Sequence, residues 1–136
     1  MAIQFSVAVR NAMLDAIETT IGTSAVLKIR SGSAPADCAA ADSGTVLATI
    51  ALAADWAAAA SGGTKAWSGV PVSDSSADAT GTAAHFRLYA SDGTTCGEQG
   101  TVTATGGGGD ITVDSTSFTA GQTFQITSWT WTAPNA

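Results

Sequence analysis

The chain has 136 residues, enough for one domain with a modest core and cramped for two. Charged residues make up only 12% of it, about half the usual share of a soluble domain, and five basic against eleven acidic residues give a formal net charge of −6. That balance repels nucleic acid and anionic lipid, and the basic residues (Arg10, Lys28, Arg30, Lys65, Arg87) are scattered without forming a patch.

Hydrophobic residues account for 45% of the chain, but much of that is alanine, which buries little area per residue. Stability is therefore expected to lean on backbone pairing and on neighbouring subunits. The opening Met1-Ala-Ile-Gln-Phe-Ser-Val-Ala-Val-Arg10 has no charged leader before its apolar stretch, and Asp15 and Glu18 soon interrupt it, so it does not read as a signal peptide. No apolar run approaches the roughly 20 residues of a membrane-spanning helix.

Residues 7–21 predict a helix, with Arg10, Met13, Leu14, Ile17 and Ile21 recurring at three- and four-residue steps on one face and Asp15 and Glu18 off that stripe. Ser6 is placed to cap its start and Gly22 to end it. The stripe reads first as core packing and second as an interaction surface. Residues 25–30 alternate as a strand, Leu27 and Ile29 inward and Lys28 and Arg30 outward. Residues 33–44 form a loop and residues 45–52 the second strand. Residues 53–63 are ambiguous: Asp55-Trp-Ala-Ala-Ala-Ala60 suits one helical turn, which Ser61-Gly-Gly63 stops.

Residues 64–72, with Trp67 and Val70, suggest a short strand that Pro71 pushes to a sheet edge, and residues 73–81 an exposed polar loop. Residues 82–90 are the cleanest strand, with Ala84, Phe86, Leu88 and Ala90 on one face and His85, Arg87 and Tyr89 on the other. Ser91-Asp-Gly93 reads as a hairpin turn into a returning strand at 94–105. Gly106–Gly109 reads as a flexible connection, 110–114 as a short strand and Thr119-Ala-Gly121 as a turn.

The final strand, residues 122–132, has Phe124 and Ile126 on one parity and Trp129 and Trp131 on the other. Burying all four needs either two-sided packing or a bulge near Ser128 that re-aims the later residues. In either case the expectation is that one face of this strand meets something besides its own core. About seven short strands at such spacings predict a mainly β fold, an antiparallel β-sandwich or jelly-roll-like domain with one N-terminal α-helix: residues 1–22 the helical segment, 23–136 the sandwich.

Few constellations suit catalysis. The one histidine, His85, lies mid-strand and reads as a partly exposed sheet residue, and no serine sits in a Gly-x-Ser-x-Gly elbow. The aspartates at 37, 42, 74, 78 and 92 read as turn residues capping backbone amides. Asp92, Asp110 and Asp114 lack the regular spacing of a calcium loop. The glycine run precedes a strand, whereas phosphate-cradling loops open a helix. Cys38 and Cys96 cannot make a zinc site with one histidine. They are either two free thiols, the default in a reducing cytosol, or a disulfide outside it, and their spacing alone cannot decide. The four tryptophans (Trp56, Trp67, Trp129, Trp131) suit a core or subunit interface first and a sugar-stacking platform second. No catalytic, metal or cofactor-binding residue is assigned.

Three stretches, Ile3-Gln-Phe-Ser6 followed by Arg10-Asn-Ala-Met-Leu-Asp-Ala-Ile-Glu18, Leu52-Ala-Ala-Asp-Trp-Ala-Ala-Ala-Ala-Ser-Gly-Gly63, and Gly100-Thr-Val-Thr-Ala-Thr-Gly-Gly-Gly-Gly-Asp110, give the chain a texture that resembles small virion structural proteins of tailed bacteriophages and prophages, the Caudoviricetes. The resemblance runs over nearly the whole length and brings no catalytic motif. It implies a non-enzymatic particle component present in many copies, made in the host bacterial cytoplasm and ending in the virion, as a capsid decoration or cement protein or as part of the tail. Its partners would be other virion proteins and copies of itself. The residues expected to pack against them are Met13, Leu14, Ile17 and Ile21 of the helix and Phe124, Ile126, Trp129 and Trp131 of the final strand. The rival expectation is a module that binds a host-surface glycan through exposed tryptophans.

Overall fold

The computed structural model of the chain describes residues 3–68, 72–74 and 76–136. It is a mainly β domain with one N-terminal helix, whose strands form a single curled mixed sheet, a half-barrel that closes on one continuous core. In chain order the elements are α1 (Val7–Ile21), β1 (Val26–Ser31), β2 (Val46–Ala51), β3 (Thr64–Ala66), β4 (Val72–Asp74), β5 (Gly81–Tyr89), β6 (Cys96–Ala104), β7 (Ile111–Val113), β8 (Ser117–Phe118) and β9 (Phe124–Thr132). The sheet runs β2-β1-β5-β6-β7-β9-β3, with β4 also on β9 and β8 on the start of β5.

The central pairing is β1 with β5. Leu27 lies opposite Leu88 and Ile29 opposite Phe86, all four fully buried on the core face. On the other face His85, Arg87 and Tyr89 are buried too, which corrects the expectation of a partly exposed histidine. The loop at 33–44 covers them. Asp42 accepts from Arg30 Nη2 at 2.9 Å, from Tyr89 Oη at 2.7 Å and from Arg87 Nη1, so it is the counter-ion of two buried arginines and not the turn cap expected of it. Partial burial pushes the Asp42 carboxyl up, but Tyr89, Arg87 and Arg30 outweigh it and hold the carboxyl below its usual range. Other aspartates do cap amides: Asp37 those of Ala39 and Ala40, Asp92 those of Thr94 and Thr95.

Among the described residues one pairing is parallel. β6 and β7 run side by side, Val102 opposite Ile111 and Ala104 opposite Val113, although only residues 105–110 connect them. Parallel neighbours ordinarily need a crossover of a dozen residues or more. Here the glycine run supplies the reversal: Gly106 and Gly108 take φ of 87° and 81°, and a Cβ on Gly107 or Gly109 would lie 2.8 Å from Thr103. The run makes a turn packed against Thr103, whose Oγ1 accepts from the Gly109 amide at 2.9 Å.

Within the expected strand, residues 64–66 form β3 and Val72 opens β4, both on β9, and Ser73 and Asp74 continue that pairing where a polar loop was expected. The expected edge placement of Val70 and Pro71 falls outside the described residues. Residues 53–63 form no helical turn; they run irregularly, bridging Ala57 to Trp67 and Ser61 to Thr64.

The parity conflict of the last strand is resolved by a bulge. Ile111 pairs with Trp129, Thr112 with Ser128 and Val113 with Ile126, leaving Thr127 unopposed. The extra residue turns the strand's second half over, so Phe124, Ile126 and Trp129 are all buried and Trp131 is partly buried against the same core. The expectation that one face of this strand meets something besides its own core is therefore overturned. The Thr127 hydroxyl is held at 2.7 Å by both Thr105 Oγ1 and Thr112 Oγ1, which satisfies the residue that the ladder skips. Trp129 becomes the hub of the core: its ring centroid is 6.1 Å from Trp56, 5.5 Å from Trp67, 5.5 Å from Phe86 and 4.7 Å from Trp131.

Deleting Thr127 removes the bulge and leaves Trp129 and Trp131 on the same parity as Phe124 and Ile126, so a regular strand can still bury all four. The expected loss is no more than about 3 kcal/mol, from the hydroxyl bonds to Thr105 and Thr112. It is read as a modest fall of the urea midpoint with the tryptophan emission in buffer unshifted; a red-shifted emission in the deletion variant would show that the bulge does more than correct the parity.

Candidate functional site

The helix is placed by three side chains that lie off its apolar stripe. Asn11 Oδ1 accepts from the Gly63 amide at 2.9 Å, Asp15 Oδ1 from Ala60 at 2.9 Å, and Glu18 Oε1 from Trp56 and Ala57 at 3.0 and 3.2 Å. The irregular segment at 56–63 has no full ladder to satisfy its amides, and the helix supplies the acceptors. Lys65 Nζ completes the seam, 2.9 Å from Asp15 Oδ1 and 3.2 Å from Glu18 Oε2, and donates to Ala58 O. The cap residues behave as the sequence predicts: Ser6 Oγ accepts from Val9, and Gly22, at φ 95°, donates to Glu18 O. The Trp56 indole then donates to Gly22 O at 3.0 Å.

This attachment turns the helix so that Leu14 and Ile21 are buried, Ile17 is partly buried and Met13 stays 42% exposed. Gly97 of β6 admits Ile21 closely, since a Cβ there would lie 2.5 Å from Ile21 Cγ1. Among the described residues, two of the clefts beside α1 share Met13 and Ile17 as a wall. One, of about 380 Å³, is lined on its far side by Glu98, Gln99, Asp110 and Trp131. The other, of about 440 Å³, runs toward Ala90, Cys96 and Gly97.

The structure thus brings Met13, Leu14 and Ile17 to the same cleft as Trp129 and Trp131, while Phe124 and Ile126 lie in the core beneath the other half of β9. Among the tryptophans, Trp56, Trp67 and Trp129 are buried, so only Trp131 has a partly open ring.

Glu98 is a site residue that sequence reasoning misses, because one acidic residue in a Gly/Thr-rich strand carries no signal. Its carboxylate accepts from Trp131 Nε1, 2.9 Å from each oxygen. Burial raises its pKa, the indole of Trp131 opposes that and Asp110 adds to it, and the net result is a carboxyl pushed up to about 7. His85 is elsewhere, on the covered face of β5: its Nδ1 lies 2.7 Å from Gly32 O and therefore carries the proton, and its buried Nε2 has no hydrogen-bond partner. Among the described residues no group of three His, Cys, Asp or Glu side chains converges as a metal site would require, and no helix is long and apolar enough to cross a membrane.

Compared with known proteins, the chain matches no protein-family model, no curated protein and no solved structure.

The raised carboxyl sets a pH dependence. Between about pH 4.5 and 7 the folded chain keeps a proton on Glu98 that the unfolded chain has released, so stability is full below that window and declines as pH rises through it, by about 3 kcal/mol in all. Glu98→Gln keeps an acceptor for Trp131 and removes the titration. Urea unfolding at pH 5 and pH 8 should show the wild-type midpoint falling and the variant's nearly constant in that interval.

Proposed function

We propose that this protein is a non-enzymatic structural subunit of a tailed-phage virion, a capsid decoration or cement protein that works by packing against its neighbours in many copies. One observation carries the reading. Among the described residues, the large hydrophobic side chains left exposed are Ile3, Val7, Val9 and Met13, at 72%, 52%, 44% and 42%, all within one short N-terminal stretch. The described parts of the sheet, the loops and the other end of the chain have none. Scattered exposed hydrophobes need no explanation, but here they are confined to one end of the chain, and Val9 and Met13 stand one helical turn apart on the same face.

Val9, Met13, Ala16 and Thr20 follow one another at four- and three-residue steps, all exposed, so α1 presents a mild apolar stripe beside the clefts that Met13 and Ile17 wall. Each such patch is small. Repeated over many copies on a particle, small contacts add by avidity, which fits a chain low in charge and short of bulky side chains. The partner surface is another virion protein or a second copy, and a place in the tail is the alternative location for the same subunit.

A glycan-binding role has one feature in its favour: the 380 Å³ cleft sets the partly open ring of Trp131 beside the polar groups of Gln99 and Asp110. With the other three indoles buried, a sugar has one ring to stack on, which supports the packing reading over this one.

Replacing Val9 with Asp and Met13 with Glu together puts charge on the stripe at exposed positions, so the unfolding free energy should change by less than about 1 kcal/mol. Incorporation into particles, followed by image reconstruction and by mass spectrometry of purified virions, should fall at least tenfold. Unchanged incorporation, or absence of the wild-type chain from the particle, sinks the reading; a saturable Trp fluorescence change with glycan that Trp131→Ala abolishes favours the rival.

A further inference from the structure

Cys38 and Cys96 are 58 positions apart in sequence, yet their sulfurs lie 2.8 Å from each other. Cys38 belongs to the loop at 33–44 and Cys96 is the first residue of β6. Their approach is built from both sides. Before Cys38, Gln99 Nε2 donates to Pro35 O at 2.7 Å. Around it, Arg87 Nη2 donates to Asp37 O at 2.9 Å and Ala40 O at 3.1 Å, and the Asp37 carboxylate caps the amides of residues 39 and 40. Two of these donors, Gln99 and Arg87, stand on β6 and β5, the strands that also position Cys96. Both thiols are partly accessible.

We propose that Cys38 and Cys96 are a conditional crosslink: a dithiol under reducing conditions that closes to an intramolecular disulfide when the chain meets an external disulfide, riveting the 33–44 loop over the Arg30, Arg87 and Tyr89 side chains it covers. The co-reactant is a small-molecule or protein disulfide, RSSR. The thiolate of one cysteine attacks one of its sulfurs, the other sulfur leaves as RS⁻, and a mixed disulfide forms on that cysteine. The sulfur of the second cysteine, after losing its proton, displaces the second RS⁻. Two electrons pass to RSSR, the two thiol protons end on the two RS⁻ groups, and the balance is two Cys-SH and RSSR giving one Cys-S-S-Cys and two RSH. Burial, and then the neighbouring Cys38, push the Cys96 thiol up to about 11, so Cys96 contributes its thiolate more readily as pH rises.

The consequence is mechanical. Among the described residues the loop is tied to the sheet by side-chain hydrogen bonds, and a crosslink across so long a stretch of chain removes much of the freedom of the unfolded state. The same subunit is then pliable where glutathione is reduced and locked where it is oxidised. This does not depend on the proposed virion role.

The test uses the full chain, reduced with a phosphine, passed through ratios of reduced to oxidised glutathione, acid-quenched, alkylated with a maleimide and weighed intact. The expected result is the joint loss of both thiols within single chains, with the melting temperature of the oxidised form about 10 °C above that of the reduced form. Cys96→Ser and Cys38→Ser should each accumulate glutathione on the one remaining thiol and stop at the mixed disulfide. Independent oxidation of the two thiols, crosslinks between chains, or an oxidised form that melts no higher than the reduced one would overturn the proposal.

Discussion

Each of the five basic side chains in this protein donates a hydrogen bond to a backbone carbonyl that lies outside a strand. Arg10 reaches Ala133 O, Lys28 reaches Gly93 O, Arg30 reaches Ser43 O, Lys65 reaches Ala58 O, and Arg87 reaches Asp37 O and Ala40 O. A carbonyl in a loop that packs on the fold has no ladder partner, and leaving it unpaired costs about 1–3 kcal/mol, while a bond from a charged donor is worth about 1.5–3. Arg10, Arg30, Lys65 and Arg87 are nearly inaccessible. Burying three of them is tolerable because each also meets a carboxylate: Asp42 for Arg30 and Arg87, Asp15 and Glu18 for the lysine. Arg10 instead places two of its nitrogens on the one carbonyl of Ala133. The low charge content therefore does not describe a bland interior. Four of the five cations are spent inside, as fasteners for segments that strands cannot hold, and Lys28 alone is partly exposed.

The core depends in a similar way on one local irregularity. Without the bulge at Thr127, β9 in strict alternation could bury Phe124 and Ile126 or Trp129 and Trp131, but not all four. With it, Trp129 faces Phe86 of β5, Trp67 beyond β3 and Trp56 of the irregular segment. Three distant stretches of an alanine-rich chain are tied to one indole. Aromatic pairs add about 0.5–1.5 kcal/mol each beyond the area they bury, which matters where leucine and isoleucine are scarce.

What could be read from the sequence divides along a physical line. Features that a residue decides locally were legible: the helix with its Ser6 and Gly22 ends, the alternation of Leu27 and Ile29, Asp37 and Asp92 as caps. Features decided by what comes to lie on top were not. Period two shows that His85, Arg87 and Tyr89 share a face, but not that a loop 40 or more residues earlier covers it. Helical spacing shows that Asn11, Asp15 and Glu18 are off the apolar stripe, but not that unpaired amides at 56–63 are waiting for them. The bulge was visible only as a contradiction between Ile126 and Trp129, which admits two solutions; the choice belongs to Thr105 and Thr112, whose hydroxyls accommodate Thr127. Of the candidate site, the helix stripe and the tryptophans were in sight, and Glu98 was not, because a carboxyl becomes unusual only through the groups that dry it.

The helix shows how these constraints leave a surface to be used. A helix on a globular domain ordinarily hides its apolar side and shows its polar side. Here part of the polar side is turned inward, because Asn11, Asp15 and Glu18 satisfy backbone amides that nothing else reaches. Rotation about the axis is then fixed by those bonds together with Leu14 and Ile21, and the remainder of the apolar side has nowhere to go but out. Val9 and Met13 are exposed as a geometric consequence of where the carboxylates are needed. Relieving that exposure by rolling the helix would strip several amides and the Lys65 ammonium of their acceptors, at a cost larger than two half-exposed side chains can return. The economical way to cover the stripe is a neighbouring molecule, so the bonds that hold the helix in place also prepare it to be packed against.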